Sequence, residues 1–262
     1  MERRSFVKST AIGIAATVAV APARGIAAKK TDRECFELRV YQLKDAVQQQ
    51  LVEDYFKNAA IPVLNRLDVK HVGVFTEMKP VAQTKLFVII QYKSIEHFAT
   101  VTAQLNTDAE HITKGAAYLD APSSQPAYER IESSLLTAFT HMPTLVAPAQ
   151  KQRILELRQY QSASEAAGER KIDMFNNQGE IDIFKRLGFN PVFWGQTIIG
   201  AQRPNLTYML SFDDMAAKNA HWKAFGSDPE WKKISTMPQN ADALLVNKIT
   251  STLLIPTTYS QI

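Results

Sequence analysis

The stretch FELRVY at residues 36–41 recurs as LELRQY at residues 155–160, and this repetition decides the fold. Related segments follow in the same order in both halves, at an offset of about 120 residues: 61–67 with 181–187, and 86–92 with 206–212. Self-similarity at a fixed period indicates a chain built from copies of one structural unit.

The repetition predicts two tandem domains, over residues 35–140 and 152–256. A Pro- and Ala-rich stretch at residues 141–151 is predicted to link them. The preceding residues 1–28 have a different composition and are treated separately below.

Each half has the pattern strand, helix, strand, strand, helix, strand. The first strand alternates apolar and polar residues, which is typical of a strand. Helix starts are expected at the caps Asp45, Ser94 and Asp214, and at a capping box formed by Ser162 and Glu165. Asp228-Pro229 resembles a cap followed by a first-turn proline, and residues 115–126 are expected to form a loop.

A β-α-β-β-α-β order is the ferredoxin-like arrangement, an antiparallel sheet with helices on one face. The other face of each sheet needs a partner, and a second copy supplies it. The sequence therefore predicts an α+β protein whose two sheets pack together as a pseudo-dimeric α/β barrel.

The N-terminus has the features of an export signal. Arg3-Arg4 precede Phe6 and Lys8, and an uncharged, mildly apolar stretch then runs from Ser9 to Ala23. That stretch is too short to span a bilayer, and small residues follow it, as in a cleavable signal peptide. Since the paired arginines resemble the twin-arginine motif, residues 1–28 are predicted to direct export to the periplasm or the medium, with cleavage between residues 23 and 30.

Charge and cysteine content exclude several classes of protein. Residues 1–28 contribute +3 of the net charge of +4, so the exported part is nearly neutral and lacks the basic stripe of a nucleic-acid-binding protein. No membrane span is predicted for the exported part. One cysteine, Cys35, allows neither an internal disulfide nor a cysteine-based metal site, and the five histidines lack metal-binding spacing. No metal is therefore predicted.

The repeated Glu-Leu-Arg-x-Tyr at residues 37–41 and 156–160 resembles the NIPSNAP family, as does the stretch WKAFGSDPEW at residues 222–231. The resemblance covers residues 36 to about 256. The first repeat departs from this pattern. Thr102, Leu105 and His111 stand at the positions of Trp222, Phe225 and Trp231, and only the aspartate is kept, as Asp108. The resemblance implies the dimeric α/β-barrel superfamily, which also contains cofactor-free monooxygenases and haem-degrading enzymes; it implies the fold more firmly than the function.

Strand alternation suggests which side chains could bind a ligand. Phe36, Leu38 and Val40 are expected to face the helices, and their polar neighbours to face the space between the sheets. The candidate ligand-binding residues are Glu37, Arg39, Tyr41, Gln91, Glu156, Arg158, Tyr160 and Ser211. An arginine can bind an anion through two N–H groups, and a tyrosine adds a hydroxyl on an apolar ring. Alternatively, Glu37 pairs with Arg39 and Glu156 with Arg158, or each pairs with other neighbours, and these residues then have only a structural role.

Three functions are compatible with these features. The first is a protein that binds a small apolar or anionic molecule between its sheets. The second is a cofactor-free monooxygenase or haem-modifying enzyme, and the third is a protein-interaction module without a ligand. No cofactor is required by the sequence, and haem and a homo-oligomer both stay open.

Overall fold

The computed structural model describes residues 33–79 and 84–262. The predicted signal peptide lies outside this part of the chain. Eight strands are formed there: β1 Cys35–Leu43, β2 Val72–Glu77, β3 Thr84–Tyr92, β4 Arg130–Ala138, β5 Ile154–Gln161, β6 Asn190–Ile199, β7 Asn205–Phe212 and β8 Lys248–Pro256.

The strands close into one antiparallel barrel, in the order β1-β3-β2-β8-β5-β7-β6-β4. Each repeat contributes four neighbouring strands in the ferredoxin-like order, β4-β1-β3-β2 and β8-β5-β7-β6. The two seams between the repeats are the β2–β8 pairing, for example Thr76 with Ile255, and the β4–β6 pairing, for example Thr137 with Gln196. The predicted pseudo-dimeric barrel is thus confirmed.

Helices cover the outside of the sheet. They are α1 Ala46–Tyr55, α2 Ile61–Arg66, α3 Ile95–Leu105, α4 Ala109–Leu119, α5 Glu165–Asn176, α6 Glu180–Arg186, α7 Met215–Ser227, α8 Pro229–Ser235 and α9 Asp242–Leu245. A five-residue π-helical segment, Phe56–Ala60, joins α1 to α2.

Side-chain caps start most of the longer helices. Asp45, Ser94, Asp214 and Asp228 accept backbone N–H groups as predicted, and Pro229 occupies the first turn of α8. Two local expectations were wrong. Ser164, not Ser162, caps α5, because its Oγ accepts the N–H of Ala167. Residues 115–119 continue α4, which the Asp108 cap starts and whose apolar side packs on the first core.

The buried residues form three clusters. One lies between the first sheet and its helices and includes Tyr41 and Phe56; a second lies in the same place in the second repeat and includes Phe175 and Phe184. The third fills the inside of the barrel, where Phe36 and Phe193 have ring centroids 5.0 Å apart. The barrel is therefore a packed core and not an open channel.

The two ends of the barrel differ. At one end Leu145, from the segment between the repeats, and Ile262 are buried in the interior cluster. At the other end a cavity of about 210 Å³ has apolar residues such as Leu38 and Phe87 at its base and polar ones such as Glu132 around it. The chain thus closes one end and leaves a small polar depression at the other.

Candidate functional site

The polar residues of β1 and β5 face the helices, which corrects the orientation expected from the sequence. Phe36 and Leu38 belong to the barrel interior, whereas Tyr41 packs with the helix-side residues of the first repeat. Most residues on both faces of β1 and β5 are buried, and in these two strands the phenylalanine and most of the leucines fill the barrel while the candidate polar side chains lie under the helices. The candidate residues of the two repeats therefore form two separate networks and do not converge.

In the first repeat Glu37 and Arg39 form a closed pair. Arg39 donates Nε and Nη2 to the two oxygens of Glu37, at 2.7 and 2.8 Å. Ser133 Oγ and Tyr92 OH donate to the same carboxylate at 2.9 and 3.3 Å. Because such a two-point pair satisfies both charges, this network has the structural role that the sequence left open as an alternative.

Tyr41 belongs to a buried cluster of tyrosines beside that pair. Its hydroxyl lies 3.0 Å from that of Tyr118, and Tyr55 stacks on Tyr118 with ring centroids 3.9 Å apart. Burial raises the pKa of all three phenols. Tyr55 OH also lies 2.9 Å from His111 Nε2, while His111 Nδ1 contacts the Leu105 carbonyl at 2.8 Å. His111, which stands at the position of Trp231 in the second repeat, is thus occupied by structural contacts.

Glu156 is the centre of the second network and is fully buried. Its carboxylate accepts hydrogen bonds from Ser251 Oγ at 2.6 Å and Trp222 Nε1 at 2.6 Å. Arg158 contacts it through one nitrogen at 3.0 Å, and Lys218 Nζ lies 3.5 Å away. Two cations therefore share one carboxylate, unlike the matched pair in the first repeat.

Arg158 lies among aromatic rings. Its guanidinium carbon is 4.5 Å from the Trp222 ring centroid and 5.5 Å from that of Tyr160, whose hydroxyl accepts from Arg158 Nη2 at 3.1 Å. Tyr208 OH is 3.0 Å from the Tyr160 hydroxyl. A guanidinium stacked on rings is held in one orientation while part of its edge stays available.

Lys171 is a further buried cation that sequence reasoning missed. It is 2% exposed, and its Nζ lies 5.4–5.6 Å from the ring centroids of Tyr160, Phe175 and Trp231. The nearest carboxylate oxygens are distant for hydrogen bonds, at 3.6 Å for Asp242 and 3.9 Å for Glu180. The i, i+4 spacing of Lys171 and Phe175 on an apolar helix face was the only signal in the sequence.

Glu180 lies beside Lys171 and is 3% exposed. Burial raises the pKa of Glu180 to about 7, against the opposing charges of Lys171 and Arg158, with Asp242 reinforcing the rise. One of its oxygens, Oε2, has no hydrogen-bond partner. Near neutral pH this carboxyl is therefore partly protonated and offsets the nearby cations incompletely.

Gln91 and Ser211 lie on the barrel side of their strands, as expected. Gln91 donates to Glu34 at 2.7 Å and accepts the N–H of Lys70 at 3.3 Å, so its amide is held by the protein. Ser211 is 5% exposed and lines a cleft outside the closed end of the barrel. The two residues thus have different surroundings.

Two negative findings apply to the described residues. Within residues 33–79 and 84–262, no three His, Cys, Asp or Glu side chains are grouped closely enough to hold a metal ion. No helix in that part of the chain is long and apolar enough to cross a membrane.

The fold and the repeated networks define a class: a single-chain α/β barrel made of two ferredoxin-like repeats. The NIPSNAP family model matches residues 36–143 and again 155–261, and the chain belongs to that family. The aromatic-rich segment at residues 222–231 supplies Trp222 and Trp231 of the second network.

Solved structures share the fold at low sequence identity. A candidate monooxygenase from Fusobacterium nucleatum subsp. nucleatum is 11% identical with a TM-score of 0.59, covering 86% of this chain and 93% of its own. A candidate monooxygenase from Lactobacillus acidophilus is 10% identical with a TM-score of 0.59, covering 88% and 98%. An anthrone oxidase-like protein is 10% identical with a TM-score of 0.54, covering 87% and 92%. No curated protein matches the sequence.

Proposed function

We propose that this protein is exported by the twin-arginine route and binds a small anionic aromatic molecule on the helix side of its second repeat. The observation that carries the binding proposal is a group of three loosely paired cations among aromatic rings. Arg158 and Lys218 share Glu156, while Lys171 lies 3.6 Å from Asp242, whose side chain is 65% exposed, and 3.9 Å from Glu180, whose pKa is raised by burial to about 7.

Cations paired this loosely are costly to bury, and an anionic ligand would offset that cost. Removing a cation from water disfavours the folded state unless its partners are close, and the two carboxylates that pair with Lys171 lie 3.6 and 3.9 Å away, beyond hydrogen-bond distance. The rings of Tyr160, Trp222 and Trp231 around the cations suit a flat apolar body. A carboxylate on an aromatic ring meets both requirements.

The first repeat supports the same conclusion by contrast. Arg39 is matched by Glu37 in a two-point pair, and the position equivalent to Trp231 holds His111, which is engaged by Tyr55. The charges there are balanced without a ligand. The second repeat is therefore the half proposed to bind.

The second network also reaches solvent. The side chain of Arg158 is 18% exposed. A cavity of about 310 Å³ adjoins the network through Ser251, which donates to Glu156; Glu77, Met215 and Leu253 also line this cavity. That volume is at the lower end of the range of small-molecule sites.

The test compares matched arginines in the two repeats. Salicylate is titrated into the wild-type protein, Arg158→Gln and Arg39→Gln, with affinity measured by calorimetry and folding checked by circular dichroism. We expect Arg158→Gln to weaken binding at least tenfold and Arg39→Gln to leave it unchanged. Equal losses in both variants, or no binding of salicylate or related aromatic carboxylates by the wild type, would refute the proposal.

Export is tested separately. We expect the full chain to appear in the periplasmic fraction or the medium, and Arg3→Lys/Arg4→Lys to keep it in the cytoplasm, since the motif depends on the arginine pair. Export of the variant at the wild-type level would show that another route is used.

Enzyme activity is the alternative kept from the sequence. Native mass spectrometry and an absorbance spectrum of the exported protein identify any bound compound or haem. Oxygen consumption on addition of the bound compound would extend the proposal to a monooxygenase, and its absence leaves binding alone.

A further inference from the structure

The segment between the repeats forms one wall of a cleft outside the closed end of the barrel. This cleft has a volume of about 520 Å³, within the range of small-molecule sites, and is separate from the second-repeat network. Its other wall comes from the second repeat, including Pro191 and Ser211. We call it the linker cleft.

Arg153 lines the linker cleft and is buried without an acidic partner. Arg153 is only 6% exposed to solvent. Nη1 donates to the Lys151 carbonyl at 2.9 Å and Nη2 reaches Gln150 Oε1 at 3.4 Å, while the buried Nε has no partner. Among the described residues no carboxylate lies within ion-pair distance of it, whereas Arg39 and Arg158 each have one.

An unpaired buried guanidinium is unusual, because burying a charge without compensation costs more than burying any neutral group. Burial lowers the pKa of Arg153, and no acidic neighbour counteracts this. The remaining charges of the cleft do not compensate it. The single acid, Asp213, pairs with Lys151 at 2.6 Å, and Lys185 and His141 add further basic groups.

The walls of the linker cleft are largely apolar. Met142, Pro143, Val146, Pro148 and Pro191 line it, and Val146 is 55% exposed although it is a large hydrophobic residue. A ligand with a charged head and an apolar body would cover these surfaces while its head meets Arg153. Ser211 also lines the cleft, and its hydroxyl offers a second donor to the head of the ligand.

We propose that the linker cleft is a binding site for an amphipathic carboxylate, such as a medium-chain fatty acid, with Arg153 as the anchor of the carboxylate. The site is independent of the second-repeat network, because the two share no lining residue. It also uses residues of the linker, so it exists only where two repeats are joined in one chain.

The experiment uses decanoate and, as an uncharged analogue, 1-decanol, both below their aggregation concentrations. Affinities for the exported protein are measured by calorimetry, and binding is located by shifts of backbone amide signals in nuclear magnetic resonance spectra. We expect decanoate to bind at least tenfold more tightly than decanol and to shift signals of residues 142–153. Arg153→Gln should weaken decanoate binding tenfold to a hundredfold, while Arg153→Lys should lose less.

Arg39→Gln is the control variant and should bind decanoate as the wild type does, because Arg39 is paired with Glu37 away from the cleft. Arg153→Gln should still bind salicylate as the wild type does, which separates failure of this site from failure of the proposed function. Should Arg153→Gln not fold, Val146→Glu gives the same information, because Val146 is exposed and a carboxylate there would repel the ligand. Equal binding of decanoate and decanol, or undiminished decanoate binding by the folded variants, would overturn the proposal.

Discussion

Replacement of Glu180 by glutamine gives a quantitative test of the buried charges in the second repeat. The pKa of this carboxyl is raised from 4.5 to about 7 in the folded protein, mainly by burial. Below pH 4.5 both the folded and the unfolded states hold the proton, so the shift has no effect on stability. As the pH rises toward 7, the unfolded state releases its proton first, and the folded state is progressively disfavoured.

The size of this effect follows from the shift. At about 1.4 kcal/mol per pKa unit, a rise from 4.5 to about 7 costs the folded protein about 3 kcal/mol above pH 7. Glutamine has nearly the same shape and does not titrate. We therefore expect the difference in the free energy of unfolding between Glu180→Gln and the wild type to rise by about 3 kcal/mol, in favour of the variant, from pH 4.5 to pH 8.

The assay is urea unfolding of both proteins at the two pH values, followed by tryptophan fluorescence. Asp182→Asn serves as control, because Asp182 lies on the same helix with its side chain 75% exposed. For the control, the difference in the free energy of unfolding from the wild type should change by less than 1 kcal/mol between the two pH values. A difference for Glu180→Gln no larger than that of the control would mean that the carboxyl is solvated, and the argument that the charge of Lys171 is only partly compensated would fail with it.

Four further substitutions test the fold. Phe193→Ala, at a fully buried position inside the barrel, should lower the free energy of unfolding by about 3–5 kcal/mol in urea titrations; a loss below 1 kcal/mol would contradict a packed interior. Asp228→Ala removes the cap of α8 and an ion pair with Arg186 at 2.9 Å, and should cost about 1–2 kcal/mol, as should its counterpart Asp108→Ala; melting temperatures check both. Gly200→Ala should cost about 1–3 kcal/mol, since Gly200 has a φ of 147° and its added Cβ would collide with Ser134; an unchanged melting temperature would show that the turn adapts.

The sequence was sufficient for the architecture because repetition and local signals agree. Asp45 and Asp214 cap helices where predicted, and the strand order follows once two copies are recognised. Alternation in β1 located a strand but not which of its sides faces the helices. Both sides of this strand are buried, so alternation alone does not distinguish them. Tyr41 is 0% exposed and packs among aromatic side chains under the helices, although its hydroxyl had suggested that it faces the inside of the barrel.

The candidate site in the second repeat was predicted only in part, because only some of its residues belong to the repeated sequence. Glu156, Arg158 and Tyr160 could be found by their repetition, and the structure joins them in one network. Lys171 and Glu180 could not, because their surroundings depend on the packing of α5, α6 and α9 against one another. Arg153 was missed because a single arginine before a strand has no pattern, and only its burial without an acid distinguishes it.

The continuous ring of strand pairings restricts how this protein can associate with other molecules. Each of the eight described strands has a hydrogen-bonded neighbour on both sides for part of its length. The two seams are short, however, so residues 130–134 of β4 and 248–252 of β8 pair on one side only, with β1 and β5. Among the described strands, an incoming strand could therefore extend the sheet only at these two segments. The outer helices offer a second surface for association, since Val47, Ile95 and Ile112 expose apolar side chains there.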